Sequence, residues 1–276
     1  MNIERGTVLT NQELSSFFKV GNMGGMRRSS ANNCLVLISD PVKGIYEDKW
    51  DGPIFHYTGM GKKGDQKFTS QNKTLRDAKQ IGVSVYLFEV FKPTKYTFMG
   101  EVELAGAFYE EIQPDVDGRP RKVLMFPLKL VEGIPPKIDV ESLESKHRRL
   151  HEIARKRSID ELSKRAKRAN GKPGTRITTC NQFDRNQDVV EYVLRKARGY
   201  CQLCEQEAPF KRPSREPYLE VHHVIWLGKG GEDTVENAVA LCPNCHRKMH
   251  IVDNQKDVGK LRLSAVRNAA GLGQDN

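Results

Sequence analysis

The stretch Glu220-Val221-His222-His223-Val224-Ile225, followed by Asn237 and then by Cys242-Pro243-Asn244-Cys245-His246-Arg247-Lys248-Met249-His250, decides how the C-terminal third folds. Cys242 and Cys245 form a Cys-x-x-Cys pair, and a second pair, Cys201 and Cys204, lies upstream, with Cys204 and Cys242 38 positions apart. Each pair makes a tight turn that aims two sulfurs at one point, and four thiolates fill the tetrahedral shell of Zn²⁺ with no position left open. A structural zinc that pins a small, loop-rich unit is therefore expected at Cys201, Cys204, Cys242 and Cys245. His246 and His250 are four apart and share a face if the segment is helical. His222 and His223 are adjacent, so on an extended segment over 218–225 they point to opposite sides. One of the two can join His246 and His250 at a second metal, while the other faces elsewhere.

Working outward, Gln187–Arg198 has helical spacing, with Val189, Val190, Val193, Leu194 and Ala197 on one face and Gly199 closing it. Further upstream, Lys146 to Arg176 holds twelve Lys/Arg against three acids, a surplus of +9 out of a formal +10 for the whole chain. The remainder is thus nearly neutral and the basic excess is local. Ser158-Ile159-Asp160-Glu161 fits a capping box that starts a second helix there, with Asn170-Gly171 and Pro173-Gly174 expected to end it. A run so one-sided in sign suits a phosphate-tracking element. Its expected phosphate contacts are Arg148, Arg149, Arg155, Lys156, Arg157, Lys164 and Arg165, together with Arg27 and Arg28 near the N-terminus.

The N-terminal half reads as β. Leu35–Ser39, Pro53–Thr58, Val83–Phe91, Tyr96–Leu104 and Val123–Val131 are rich in Val, Ile, Phe and Tyr and bounded by Gly, Pro and Asp. Val83–Phe91 is apolar on both faces and is expected to be a covered central strand. Asn72–Ile81 reads as a short helix with Leu75, Ala78 and Ile81 on one face. Gly-rich stretches, 21–30 and 57–66, punctuate the strands and on composition alone are ordinary turns. With 276 residues and 38% hydrophobic content, the chain suits two ordinary cores. No run approaches a membrane span, and Met1-Asn2-Ile3-Glu4-Arg5 leads into no apolar stretch, so a cytoplasmic protein with reduced cysteines is expected.

Arg27-Arg28-Ser29-Ser30, Leu35-Val36-Leu37, Tyr57-Thr58-Gly59-Met60-Gly61, Gly64-Asp65-Gln66 and Gln71-Asn72-Lys73 together resemble the SRA (SET- and RING-associated, or YDG) domains, especially those of McrA-like bacterial restriction enzymes. The resemblance implies a PUA-like β-barrel that flips a modified cytosine into a concave pocket. Tyr57 would stack on the base, and Thr58 and Gly59 of the turn would line the pocket beside Asp65. Eukaryotic members of the family place an acidic residue and an aromatic just before the Leu-Val-Leu strand. Ser30, Ala31, Asn32 and Asn33 stand there instead, so Asn32 or Asn33 would read the base edge.

The run from Cys201 to His250 resembles the HNH (ββα-metal) nucleases. The resemblance implies that His223 is the general base, that Asn237 orients it or ties the loop, and that His222, His246 and His250 hold a divalent ion. For three imidazoles Mn²⁺, Co²⁺ or Ni²⁺ is expected ahead of Mg²⁺. The fold class that follows is α+β: an SRA-like barrel over residues 1–135, a basic helical linker over 136–178, and a zinc-stabilised HNH domain over 179–276. The function that follows is a modification-dependent DNA endonuclease acting on duplex DNA that carries a modified cytosine, working as a homodimer because one duplex break needs two scissions. A non-catalytic reader of modified DNA, and an HNH nuclease directed at phosphorothioate or structured DNA, are the alternatives.

Overall fold

The computed structural model describes residues 3–40, 42, 46–167 and 176–271. The expected stops at Asn170-Gly171 and Pro173-Gly174, and the basic residues Arg168 and Lys172, lie outside them. The chain divides into two compact units, 1–180 and 181–276.

In the first unit the order is β1 (Val8–Leu9), α1 (Asn11–Phe18), β2 (Met26–Ser29), β3 (Cys34–Ser39), β4 (Lys49–Asp51), β5 (Ile54–Thr58), α2 (Ser70–Asp77), β6 (Ser84–Val90), β7 (Tyr96–Leu104), β8 (Tyr109–Pro114), β9 (Pro120–Leu130), β10 (Ile138–Asp139), α3 (Val140–Arg155), α4 (Ile159–Lys167) and β11 (Thr178–Thr179). Nine strands form one sheet in the order β2-β3-β6-β7-β9-β5-β4, with β1 beside β7 and β8 beside β9. β3 and β6 run parallel, which requires the long crossover carrying β4, β5 and α2.

Both central strands are buried on two faces, and period-two alternation sorts their side chains. Leu35, Leu37, Val85 and Leu87 enter one core with Tyr57, Leu75 and Phe126. Val36, Ile38, Tyr86, Phe88 and Val90 enter the other with Leu14 and Phe18 of α1. Helix α1 starts at a complete capping box, with Glu13 N donating to Thr10 Oγ1 and Thr10 N to Glu13 Oε2. Helix α2 ends at Asp77, earlier than the spacing predicts. Its inward face is closed by Leu75 and Ala78, and Ile81 lies in the following turn, 54% exposed. The Gly-rich stretch before β3 is not all turn, because Met26–Ser29 pairs with β3 as an edge strand.

The basic segment after β9 is tied to the sheet. Buried Glu89 of β6 accepts from Lys146 Nζ at 3.3 Å, Arg176 Nη2 at 2.7 Å and Trp50 Nε1 at 3.0 Å. Burial opposes ionisation of Glu89, but the charges of Lys146 and Arg176 outweigh it and hold the carboxyl below its usual range. A buried carboxylate with two cationic partners is costly to leave half-paired. Lys146 and Arg176, with the parallel β10–β11 bridge, therefore hold both ends of the helical segment.

The second unit holds α5 (Gln187–Lys196), β12 (Glu220–His223), β13 (Ala238–Leu241), α6 (Pro243–Ile251) and α7 (Gln255–Ala269). β12 and β13 pair antiparallel. Val193, Val221, Ala240, Leu241, Met249 and Leu261 are among the residues that pack its core. No described helix is long and apolar enough to cross a membrane.

Candidate functional site

Of the candidate metal ligands, His222, Cys242, Cys245, His246 and His250 come from the β12–β13 pair and the helix that follows it, and Cys201 and Cys204 from the turn after α5. Cys242 is the N-cap of α6, with Pro243 in the first turn, and its Sγ accepts from Cys245 N. Cys201 and Cys204 occupy the turn after α5, where Glu205 N bonds Cys201 O at 2.8 Å. All four sulfurs lie within 4.8 Å of one another. Burial and the neighbouring sulfurs push the Cys245 thiol well up. Four thiols crowded this closely, with no disulfide among them, fit a structural cation of the zinc type.

His222, His246 and His250 form the second cluster, with one ring nitrogen from each lying within 4.8 Å of the others. His246 Nε2 and His250 Nε2 are 3.0 Å apart. His222 is 2% exposed, and its buried Nε2 finds no hydrogen-bond partner among the described residues. Burial, and then the charges of its neighbours beginning with His246, push His222 down to about 4. His250 is lowered by burial first and then by His246 and Arg247, with Asp253 opposing. Three imidazoles whose ring nitrogens converge, one of them otherwise orphaned, are a donor set suited to a divalent transition ion.

A residue given no role on sequence grounds orients this cluster. Glu220 Oε2 bonds His246 Nδ1, which turns His246 Nε2 toward the other two rings. Glu220 is itself held by the Tyr218 hydroxyl at 2.9 Å. Its carboxyl stays below the usual range although burial raises it, because the bonds from His246 and Tyr218 prevail. The signal was present in the sequence: two residues before His222 on a strand is the same face.

His223 faces away from the cluster, as alternation requires, and its Nε2 lies 2.7 Å from Asp233 Oδ1. Asn237 does not bond His223 among the described residues. Its Oδ1 accepts from Ile225 N at 2.7 Å, while Nδ2 donates to Ile225 O at 2.9 Å and Glu232 O at 2.8 Å, so it clamps the loop between β12 and β13. Gly231 completes that clamp: a Cβ there would collide with the Ile225 carbonyl.

In the sheet unit the residues named from sequence separate into groups. Tyr57 is 3% exposed, and its hydroxyl donates to Gly25 O at 2.8 Å, which makes it part of the core wall. Thr58 N donates to Asp48 Oδ1 at 2.8 Å. Gly59 sits where a Cβ would meet Asn72 Oδ1 and Gln66 Oε1 at 2.9 Å, and Asn72 clamps Met60 through both its backbone groups. Asp65 accepts from Lys122 N at 2.8 Å and ties the same loop to β9.

Ser30, Asn32 and Asn33 are not brought together with Tyr57. They form the β2–β3 turn, where Asn33 donates to Gly82 O and Asn32 to Phe17 O. Tyr57 meets the other end of β3 at Ile38, about 16 Å from Asn33 at strand rise. Arg27 is turned inward, 6% exposed, bonding Asn11 Oδ1 and Gly24 O, and Arg28 bonds Asn33 and Cys34 O.

Asp48 stands beside Thr58, and on the same loop Tyr46 reaches the Tyr-Thr-Gly-Met-Gly turn, where its hydroxyl bonds both backbone groups of Gly61. Loss of solvation pushes the Asp48 carboxyl up to about 6, against the bonds from Thr58 and Ser39. The sequence reading gave the base edge to Asn32 or Asn33, before the Leu-Val-Leu strand; the structure offers an acid and an aromatic after that strand, Asp48 and Tyr46.

The basic helices also divide. Arg149 faces Asp40 at 3.9 Å, Arg157 faces Glu161 at 3.4 Å, and Arg165 bridges Glu47 at 2.8 Å and Glu161 at 3.1 Å. Arg148, Arg155, Lys156 and Lys164 are exposed.

A nine-stranded sheet with a clamped Tyr-Thr-Gly loop and a ββα module with two ligand clusters stand on one chain as an SRA-like unit and an HNH-like unit. The sequence matches the family described as ScoMcrA-like, SRA domain, over residues 6–146, and the HNH endonuclease family over residues 201–251. The first match spans more than half of the chain, so the chain belongs to the ScoMcrA-like SRA family and carries an HNH endonuclease domain. The type IV methyl-directed restriction enzyme EcoKMcrA of Escherichia coli (strain K12) is 49% identical over 76 residues, which are 28% of this chain and 27% of that relative. The structure of the type IV phosphorothioation-dependent restriction endonuclease ScoMcrA is 21% identical with a TM-score of 0.41, covering 98% of this chain and 64% of that one. The SUVH5 SRA domain in complex with fully methylated CG DNA is 20% identical with a TM-score of 0.38, covering 49% and 92%. The chain therefore spans about a quarter of EcoKMcrA and less than two thirds of ScoMcrA.

Proposed function

We propose that this chain is a modification-dependent DNA endonuclease, in which the sheet unit reads a modified cytosine flipped from the duplex and the ββα module hydrolyses a phosphodiester. The observation that carries the reading is the convergence of His222, His246 and His250 on one side of β12 with His223 on the other. One strand thus supplies both a cation ligand and a base.

His223 takes a proton from water, and the hydroxyl oxygen attacks phosphorus in line with the 3′ oxygen. The P–O3′ bond breaks, and the leaving oxygen is protonated by solvent, giving a 5′ phosphate and a 3′ hydroxyl. A divalent ion held by His222, His246 and His250 supplies charge stabilisation on the phosphate oxygens when bound, and Mn²⁺, Co²⁺ or Ni²⁺ suits three imidazoles better than Mg²⁺. Zn²⁺ is the proposed occupant of the four-cysteine site. Asn237 holds the loop that frames His223.

In the sheet unit, Asp48 accepts from the exocyclic amine of the flipped cytosine, the pairing a carboxylate makes with that donor. Tyr46 provides a face and Thr58 a backbone edge. Methylcytosine is the favoured modification, given the methyl-directed relative, with hydroxymethylcytosine the near variant. Arg148, Arg155, Lys156 and Lys164 contact phosphate. Residues 1–135 read, 136–178 bridge and 179–276 cut. Two copies act together at a duplex break, which sedimentation on cleavable DNA would test.

The deciding experiment is digestion, with Mn²⁺, of one duplex made with cytosine, methylcytosine, hydroxymethylcytosine or a phosphorothioate linkage. Cleavage of the methylated duplex alone is expected. Equal cleavage of all four removes the reader role, and cleavage of the phosphorothioate duplex alone transfers the reading to a backbone mark.

A further inference from the structure

Asp233 has no role in the mechanism proposed for the nuclease, yet it is placed as a fixed partner of the proposed base. Its carboxylate is divided between two donors. Oδ1 lies 2.7 Å from His223 Nε2, and Oδ2 accepts the backbone N–H of Asn186 at 2.6 Å. Asn186 is the N-cap of α5 and accepts from Asp188 N at 3.0 Å, so the carboxylate is anchored to a helix start. The loop that carries Asp233 is pinned on its other side, where Asn237 bonds the Glu232 carbonyl. His223 is 5% exposed and lies in β12 opposite Ala238. The Asn186 amide first, and the His223 imidazole among the further causes, hold the Asp233 carboxyl below its ordinary range. At neutral pH it can only accept hydrogen bonds.

An acceptor at Nε2 demands that a neutral imidazole carry its single proton there, which leaves the Nδ1 lone pair bare. Resting on the nuclease reading, we propose that Asp233 is a positioning residue that fixes His223 as the Nε2–H tautomer, so that Nδ1 is the atom that takes the proton from water. In that step a water O–H bond breaks, an Nδ1–H bond forms, and Nε2 keeps its hydrogen. Asp233 stays ionised throughout, and its bond to the ring becomes charge-assisted once the ring is positive. The carboxylate thus strengthens its hold as the reaction proceeds, which a neutral carbonyl in its place would do less.

The test has one readout that needs no catalysis. The full chain, labelled with ¹⁵N-histidine and loaded with Zn²⁺ as the sole metal, is examined by long-range ¹H–¹⁵N correlation of its imidazoles. The His223 signals are assigned by their loss in His223→Gln. The Nε2–H tautomer is expected in the unaltered chain, and a mixed population in Asp233→Asn. In parallel, nicking of modified duplex with Mn²⁺ is expected to lose about 10- to 100-fold in kcat in Asp233→Asn and Asp233→Ala. KM and zinc content are expected to stay unchanged, and Asp233→Glu to recover part of the rate. An Nδ1–H tautomer in the unaltered chain overturns the proposal. So does a kcat within about twofold of normal in Asp233→Ala, or a loss confined to KM or zinc content. If the unaltered chain cuts nothing, the nuclease reading has failed, and the tautomer is still decided by the spectrum.

Discussion

The two units build their sites from different materials. The sheet unit has two cores on the faces of one sheet, and its loop site is held by side chains that clamp backbone groups, such as Asn72 on Met60 and Asp48 on Thr58. The ββα module has a single smaller core, and its site is held by side chains that gather around charge: four thiols, three imidazoles and the carboxylates of Glu220 and Asp233. A site of the first kind survives when a ligand is removed. A site of the second kind depends on its cation for its fold.

The largest effect should come from removing that cation. A strong chelator, or Cys242→Ser, is expected to abolish the folded C-terminal module, because zinc sites of this type contribute roughly 10–16 kcal/mol of apparent binding energy. Limited proteolysis should then digest residues beyond about 181 while the sheet unit stays intact. Survival of both units, or loss of both, would erase the contrast.

Next in size is His223→Ala. It should lower nicking by about 10²–10⁴-fold and leave the affinity for modified DNA in a mobility-shift assay unchanged. Gly231→Ala should follow at about 2–4 kcal/mol, because the Ile225 carbonyl must move and the Asn237 clamp opens. The lower melting transition, that of the module, should fall and the upper should not.

Asp48→Asn sharpens the contrast from the other side. An acid raised from 3.8 to about 6 in the fold costs stability as pH rises through that window, since the unfolded chain ionises first. The variant should therefore be more stable than the parent at pH 7, by on the order of 1–2 kcal/mol, with the gain vanishing below about pH 4. Its affinity for modified DNA should fall. In the unaltered protein that affinity should rise between pH 5 and 7.5 as the carboxylate forms. A variant that binds modified DNA as tightly as the parent at pH 7.5 would remove Asp48 from the base edge.

The smallest effect separates the two kinds of basic residue. Changing exposed Arg148, Lys156 or Lys164 to Gln should flatten the salt dependence of DNA binding by about 0.9 in log–log slope for each phosphate no longer neutralised. Lys146→Gln should leave the slope alone and instead destabilise the sheet unit, since Glu89 loses one of its two cations.

What could be read from the amino-acid order follows the same division. The β3 and β6 strands announce themselves because residues buried on both faces must be apolar throughout. The cysteine and histidine clusters were legible because ligand spacing is set by a turn or a helix, both local. α1 is marked only by Thr10-x-x-Glu13 and the Leu14/Phe18 pair, because eight residues are two turns and show a single apolar repeat. The edge strands β2, β4 and β8 carry too many polar residues for alternation to reveal them. Asp48 and Asp233 could not be singled out, because each gains its meaning from a partner brought near by the fold: Thr58 for the first, and Asn186, 47 residues away, for the second. Arg27 and Arg165 looked free for phosphate on sequence grounds, whereas their partners Asn11 and Glu47 are visible only in three dimensions.

The central claim is that imidazoles gathered on one strand and one helix cut DNA at a modified base. It is tested most directly by single-turnover nicking of a methylcytosine duplex, with Mn²⁺, by the unaltered chain and by His223→Ala at matched zinc content. Cleavage by the first, with binding but almost no cleavage by the second, is predicted. Identical traces from the two proteins would contradict it.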